Sequence, residues 1–173
     1  MFISAERVSV VMKTIETVVD IHAEPDDVWA VLTDTASYPE WNPFVTEMDG
    51  TLAEGERLRI RIEPPEGQAM NFKPRVTTFE PEQRLEWLGR LVVPGLFDGR
   101  HEFVLDSQHH NHTRLTHREH FSGLLVRFFL DEDDIRAGFE AMNEALRARV
   151  EGSEADEKPT DGSDEQSAKG ATA

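Results

Sequence analysis

The chain announces itself by an alternation. In KTIETVVDIH, residues 13–22, Ile15, Thr17, Val19 and Ile21 fall on one side and Thr14, Glu16 and Asp20 on the other. A period of two with branched residues on one face predicts a half-buried strand. The period then changes. In AEPDDVWAVLTD, Pro25 suits a first helical turn, and Asp26 and Asp27 suit the positive end of a helix dipole. Val28, Trp29 and Leu32 supply the stripe of a short helix. Pro39 and Pro43 in TASYPEWNPF forbid a long continuation, so a second short helix or turn is expected there. Six strand-like runs follow, at 44–49, 57–63, 70–79, 84–91, 100–107 and 113–121. Turn chemistry separates them: Asp49 with Gly50, Glu54 with Gly55, PPEG at 64–67, Pro81 with Glu82, Pro94 with Gly95, and HHNH at 109–112. Connections this short imply an antiparallel meander. Finally Ile135, Phe139, Met142, Leu146 and Val150 recur at helical spacing, with acidic residues 131–134 before them, Arg147 and Arg149 near the end and Gly152 just beyond. That pattern predicts a long amphipathic helix.

The order strand, two short helices, six strands, long helix predicts an α+β fold. A curved antiparallel sheet of about seven strands wraps the C-terminal helix, and the short helices close one end. One helix cannot fill a deeply curved sheet, so an interior cavity is expected. No internal repeat or linker divides residues 13–151, which are read as one ligand-binding domain. Residues 1–12 are read as an unstructured leader, with Met12 a second candidate start. Residues 152–173 lack aromatic and branched aliphatic side chains and are read as a disordered acidic tail.

Composition then narrows the partners. The 173 residues carry 18 Lys and Arg against 34 Asp and Glu, a net charge of -16. Nucleic acid binding needs clustered cations, and no basic run exists, so nucleic acid and anionic membranes are not expected partners. No apolar stretch approaches the length of a bilayer span, which removes stable membrane insertion. The absence of cysteine excludes disulfides and thiolate chemistry; with no secretory signal recognisable, the expected location is the cytoplasm. Lysine occurs only at 13, 73, 158 and 169. Many carboxylates beside few lysines fit a halophilic surface, whose self-repulsion concentrated salt screens.

Taken together, SYPEWNPF (37–44), RLEWLGRL (84–91), GLFDGRHEF (95–103), LTHREHFSGLL (115–125) and GFEAMNEALRARVEG (138–152) resemble, in their order along the chain, the START-like or Bet v 1-like (SRPBCC) superfamily. Within it the likeness is to the polyketide cyclase/dehydrase and lipid-transport group. The resemblance implies a helix-grip fold with a ligand cavity between sheet and C-terminal helix. It does not imply one reaction, because members bind lipids, steroids or polyketides and some are cyclases or hydrolases.

Strand parity carries the reading to residues. If the hairpin turn lies near 109–111, facing residue numbers sum to about 220, which pairs Leu105 with Leu115, Phe103 with His117 and His101 with Glu119. With Phe121, these form the cavity face; Glu102, Asp106, Arg114, Arg118 and His120 form the solvent face. His101, His117 and Glu119 thus share an apolar wall, as polar anchors for a ligand or as general acid and base. Two histidines and a carboxylate also match a metal facial triad, but no rigid second shell is legible, so no metal and no cofactor are expected. Trp41, Pro43, Phe44, Phe72, Trp87, Phe139 and Met142 are further candidates to line the cavity, with core packing the competing reading for Trp87 and Phe72. His109, His110 and His112 are read as solvated turn residues and His22 as the end of the first strand, none with a catalytic role. The apolar run 124–130, LLVRFFL, is read as core, gate or interface. No nucleophile elbow or phosphate loop appears. The leading expectation is reversible binding or delivery of a hydrophobic small molecule. The alternatives are a cyclase or dehydratase using Glu119 with His101 or His117, and a chaperone-like assembly partner for an apolar peptide.

Overall fold

The computed structural model describes residues 11–90, 93–126 and 131–157. Strand β1 (Val11–Ile21) leads into helix α1 (Pro25–Thr33), a 3-10 turn (Thr35–Ser37) and the single-turn helix α2 (Tyr38–Trp41). Strands β2 (Val45–Asp49), β3 (Arg59–Ile62), β4 (Met70–Phe72), β5 (Arg75–Glu80), β6 (Arg84–Arg90), β7 (Asp98–His109) and β8 (His112–Gly123) follow, and helix α3 (Glu132–Glu157) closes the order. Five strands pair antiparallel in the order β1-β8-β7-β6-β5, and three more in the order β2-β3-β4.

The run expected at 70–79 is two strands. Pro74 has no N–H to give a ladder, and the chain changes partners there: Phe72 pairs with Ile60 of β3, Arg75 with Leu88 of β6. The two sheets are nonetheless stitched together. Gly55 N–H donates to Val76 O, Val76 N–H to Glu56 O and Leu58 N–H to Pro74 O, each at 2.9 Å. The layer therefore curves continuously from β1 round to β2, and the expected helix-grip is the observed architecture, with eight strands instead of seven.

Two boundaries differ from the sequence reading. β1 begins at Val11, so Met12 belongs to the strand rather than to a leader. α3 continues through Gly152 to Glu157, into what was expected to be tail. A solvent-exposed glycine costs a helix only about 1 kcal/mol, and Glu154, Ala155 and Glu157 after it are good helix formers.

Alternation decides what is buried. Ile15, Thr17, Val19 and Ile21 of β1 face inward, and Ile135, Phe139, Met142, Leu146 and Val150 of α3 meet them. The open edge of β1 is covered by α3 as well: Arg136 donates to the backbone oxygen of Glu16 at 2.8 Å, and the His22 N–H donates to Glu151 at 3.0 Å. On the convex face Glu102, expected in solvent, is buried at 4 % exposure. Arg84 (2.6 Å) and Arg118 (3.1 Å) cover it, and Arg84 and Arg100 likewise hold the buried Glu86. Two carboxylates directly opposite each other on β6 and β7 are tolerable only because guanidinium groups lie between and beside them.

Candidate functional site

The β7–β8 hairpin has the register that parity predicts: Leu105 faces Leu115, Phe103 faces His117 and His101 faces Glu119. Extended through β1 and β6, that register lays inward side chains in rows across the sheet. One row is Trp87, His101, Glu119 and Ile15; the next is Leu85, Phe103, His117 and Thr17. The row above Trp87 contains Gly89 facing Gly99. Two glycines side by side on a concave wall place no side chain of their own there: the space before Gly99 admits the carboxyl group of Glu119, and the space before Gly89 remains open.

A cavity of about 560 Å³ occupies that space, between the wall, the β2–β4 sheet and the first turn of α3. Phe44, Phe72, Trp87 and Phe121 contribute its apolar surface, and His101 and Glu119 are polar groups on the same wall. Asp131, Asp134 and Arg90 also border it.

Behind Glu119 runs a chain of buried polar groups. Glu119 Oε2 is 3.3 Å from His101 Nδ1, and His101 Nε2 is 2.9 Å from His117 Nε2. His117 Nδ1 is 3.0 Å from Asn143 Oδ1, and Asn143 Nδ2 donates to Thr17 Oγ1 at 2.9 Å. Aromatic rings pin both imidazoles: Trp87 stacks on His101 at 4.6 Å and Phe139 on His117 at 3.8 Å. Burial disfavours every charged form here. It pushes His101 down to about 3, holds His117, with His101 beside it, well below the ordinary imidazole value, and pushes Glu119 up to about 8. At neutral pH both imidazoles are uncharged and Glu119 keeps its proton. The wall thus presents a neutral carboxylic acid backed by hydrogen-bonded imidazoles, able to bind a polar group or to exchange a proton.

The other candidates separate cleanly. Phe103, His117, Phe139 and Met142 lie in the core behind the wall and do not border the cavity. Trp41 packs against Tyr38 and the hydrophobic core and donates to Ser37 Oγ at 3.2 Å, and Pro43 is exposed; neither borders the cavity. At the far end of the sheet, His22 and His112 approach at 3.0 Å and His110 meets Glu24 at 2.9 Å, remote from the cavity lining. Of the 124–130 run, Leu124 is 37 % exposed and Val126 is buried; residues 127–130 lie outside the described residues. Among the described residues no group of three histidine or carboxylate side chains is arranged to hold a metal ion.

Asn143, Thr17 and Gly99 escaped the sequence reading. Asn143 is 2 % exposed and sits four residues after Phe139, on the apolar stripe itself. A lone amide at a stripe position is the signal that would have found it, as a lone threonine among the inward residues of β1 would have found Thr17.

A family model described as polyketide cyclase / dehydrase and lipid transport matches residues 12–151. No curated protein matches the sequence. Among solved structures, norcoclaurine synthase from Thalictrum flavum in complex with dopamine and hydroxybenzaldehyde is 14% identical over 92% of this chain and 98% of its own, with a TM-score of 0.62. The Zhui aromatase/cyclase from a Streptomyces species is 20% identical over 84% and 94%, at 0.57. A START superfamily protein from Mycobacterium smegmatis is 18% identical over 80% and 97%, at 0.62. At such identities the structures share the fold and the choice of a grooved sheet gripping one helix. Because the family match spans β1 to the end of the apolar stripe of α3, this chain belongs to the polyketide cyclase/dehydrase and lipid-transport family.

Proposed function

We propose that the protein reversibly binds a hydrophobic small molecule in the cavity, with Glu119 and His101 as its polar anchor. The observation that carries this reading is the hollow itself: about 560 Å³ walled by aromatic and aliphatic side chains, with one carboxylic acid and one imidazole on the wall that the glycines leave open. A site of that size suits a molecule of lipid or polyketide-like dimensions. Family membership supports the same reading.

The test uses Nile red, an uncharged dye that brightens in apolar surroundings. It is expected to bind once per chain and to quench the emission of Trp87. In Gly89→Phe the new ring would project from an inward-facing position into the hollow, and binding is expected to disappear while the circular dichroism stays native. Dye that does not bind the wild type, or binds both proteins equally, would overturn the proposal.

A second reading, a cyclase or dehydratase, has one observation in its favour: Glu119 holds a proton at neutral pH and faces the hollow. In that reading the proton leaves its contact with His101 for a departing hydroxyl, and one is regained from the reacting carbon. Turnover of a molecule extracted from the protein, abolished in Glu119→Gln, is what that reading requires.

A further inference from the structure

The buried polar chain has a direction, and the direction states what kind of ligand the anchor accepts. At one end, Asn143 presents Nδ2 to Thr17 and Oδ1 to His117. An amide oxygen only accepts, so His117 Nδ1 carries the hydrogen. A neutral imidazole has one N–H, which leaves His117 Nε2 as a lone pair. His101 must then donate from Nε2 across the 2.9 Å contact, and its own Nδ1 becomes a lone pair. Glu119 Oε2 faces that lone pair at 3.3 Å and satisfies it by carrying the hydroxyl hydrogen. Each link forces the next, and the last one fixes the carboxyl: Oε2 is the hydroxyl oxygen and Oε1 the carbonyl.

Oε1 is the end offered to the hollow. It has no hydrogen-bond partner among the described residues and lies over Gly99, whose missing side chain leaves it room; a Cβ at 99 would stand 2.4 Å from it. Glu119 and Gly99 both border the cavity. A carbonyl oxygen accepts and cannot donate. The uncharged imidazoles and the protonated Glu119 that burial produces are the states this hydrogen arrangement needs.

We infer that the cavity selects an uncharged hydrogen-bond donor, an apolar alcohol or phenol, over ethers, esters and ionised carboxylic acids of the same shape, with Asn143 as the positioning residue that sets this polarity. A ligand that can only accept would face Glu119 Oε1 acceptor to acceptor, and an ionised acid would add an unpaired charge in an apolar hollow. The inference rests on the cavity reading above and sharpens it to a ligand class.

The matched probes are 4-pentylphenol and its methyl ether, 4-pentylanisole, which differ in the donor hydrogen and one methyl group. Each is used to displace Nile red from the full-length protein, and the ratio of their affinities is compared between wild type and Glu119→Leu, which cancels their different oiliness. The ratio is expected to favour the phenol about tenfold more in wild type than in Glu119→Leu, the worth of one hydrogen bond in a dry site. Glu119→Gln should retain the wild-type ratio, since its amide can donate to His101 and still present a carbonyl to the hollow. A second measurement needs no destabilised variant. In difference infrared spectra, the carboxylic-acid carbonyl band that is absent from Glu119→Gln is expected to shift with pentylphenol and to stay put with pentylanisole. Nile red that binds and is displaced with equal ratios in wild type and Glu119→Leu, or a band indifferent to the phenol, would overturn the donor inference and leave the cavity reading standing. Failure of Nile red to bind at all would overturn both.

Discussion

Glu119 and His101 resist charging from opposite sides of neutrality, and that makes the site visible in stability as well as in binding. Unfolded, Glu119 ionises near 4.5; folded, it keeps its proton to about 8. Across that interval the folded state holds the extra proton, so stability falls as pH rises, by at most about 1.4 kcal/mol per pH unit. His101 works the other way. Its unfolded form takes a proton below 6.5 that the folded form refuses until about 3, so stability falls as pH drops through that range. Below 6.5 the buried His117 refuses a proton as well, so there the two histidines outweigh Glu119 and stability falls toward acid, whereas Glu119 acts alone from 6.5 to about 8. Urea unfolding of the wild type should therefore show a decline from pH 6.5 to 8 that Glu119→Gln flattens. An equal decline in both would place the ionised carboxylate in the folded protein. That these two residues meet was legible from strand parity alone, because alternation in a hairpin leaves few choices once the turn is located. Which of their atoms carry hydrogen was not, because it depends on Asn143, and an amide reads as a polar residue until the helix is seen to press it against His117.

At the level of elements, the hollow depends on where side chains are missing. Gly138 lies in α3 against the ring of Phe44, and a Cβ there would stand 2.2 Å from the ring. Gly138→Ala should cost about 1–3 kcal/mol by overpacking, and Phe44, which borders the cavity, has to move. Gly152, in the same helix, has nothing within 4 Å of a Cβ. Gly152→Ala should stabilise by up to about 1 kcal/mol, the propensity difference between the two residues. Paired thermal melts settle the contrast; two changes of the same sign would show that the Gly138 contact does not constrain the helix. The first strand and the first and last helices were well marked in the sequence by a period of two or a helical stripe, and turn residues marked off the runs between them. The places where the reading slipped were ends and breaks. Pro74 divides a run whose apolar pattern continues across it, and the glycine that suggested a helix stop at 152 is tolerated inside the helix.

For the whole molecule, the net charge of -16 opposes compaction, while cross-strand pairs such as Arg118 with Glu102 and Arg100 with Glu86 favour it. Salt weakens both, but the pairs around Glu86 and Glu102 are in contact and partly shielded from solvent, whereas the repulsion acts over longer distances. Screening shortens from about 10 Å at 0.1 M to about 3 Å at 1 M, which removes the long-range part first. The melting temperature should accordingly rise between 0.1 and 1 M sodium chloride, as measured by calorimetry; a fall would mean that the ion pairs outweigh the repulsion. The architecture was readable because the order of elements admits few compact arrangements, whereas the continuity of the two sheets rests on backbone bonds around Gly55 and Leu58 that no residue pattern advertises. The docking of α3 along β1 has one more effect. With a guanidinium on the Glu16 carbonyl and a carboxylate on the His22 amide, the outermost strand has polar groups at its middle and just past its last residue already engaged, so an incoming strand from another molecule would have to evict the helix before it could add to the layer there. The same rod whose first turn borders the hollow therefore guards the chain against strand-by-strand aggregation.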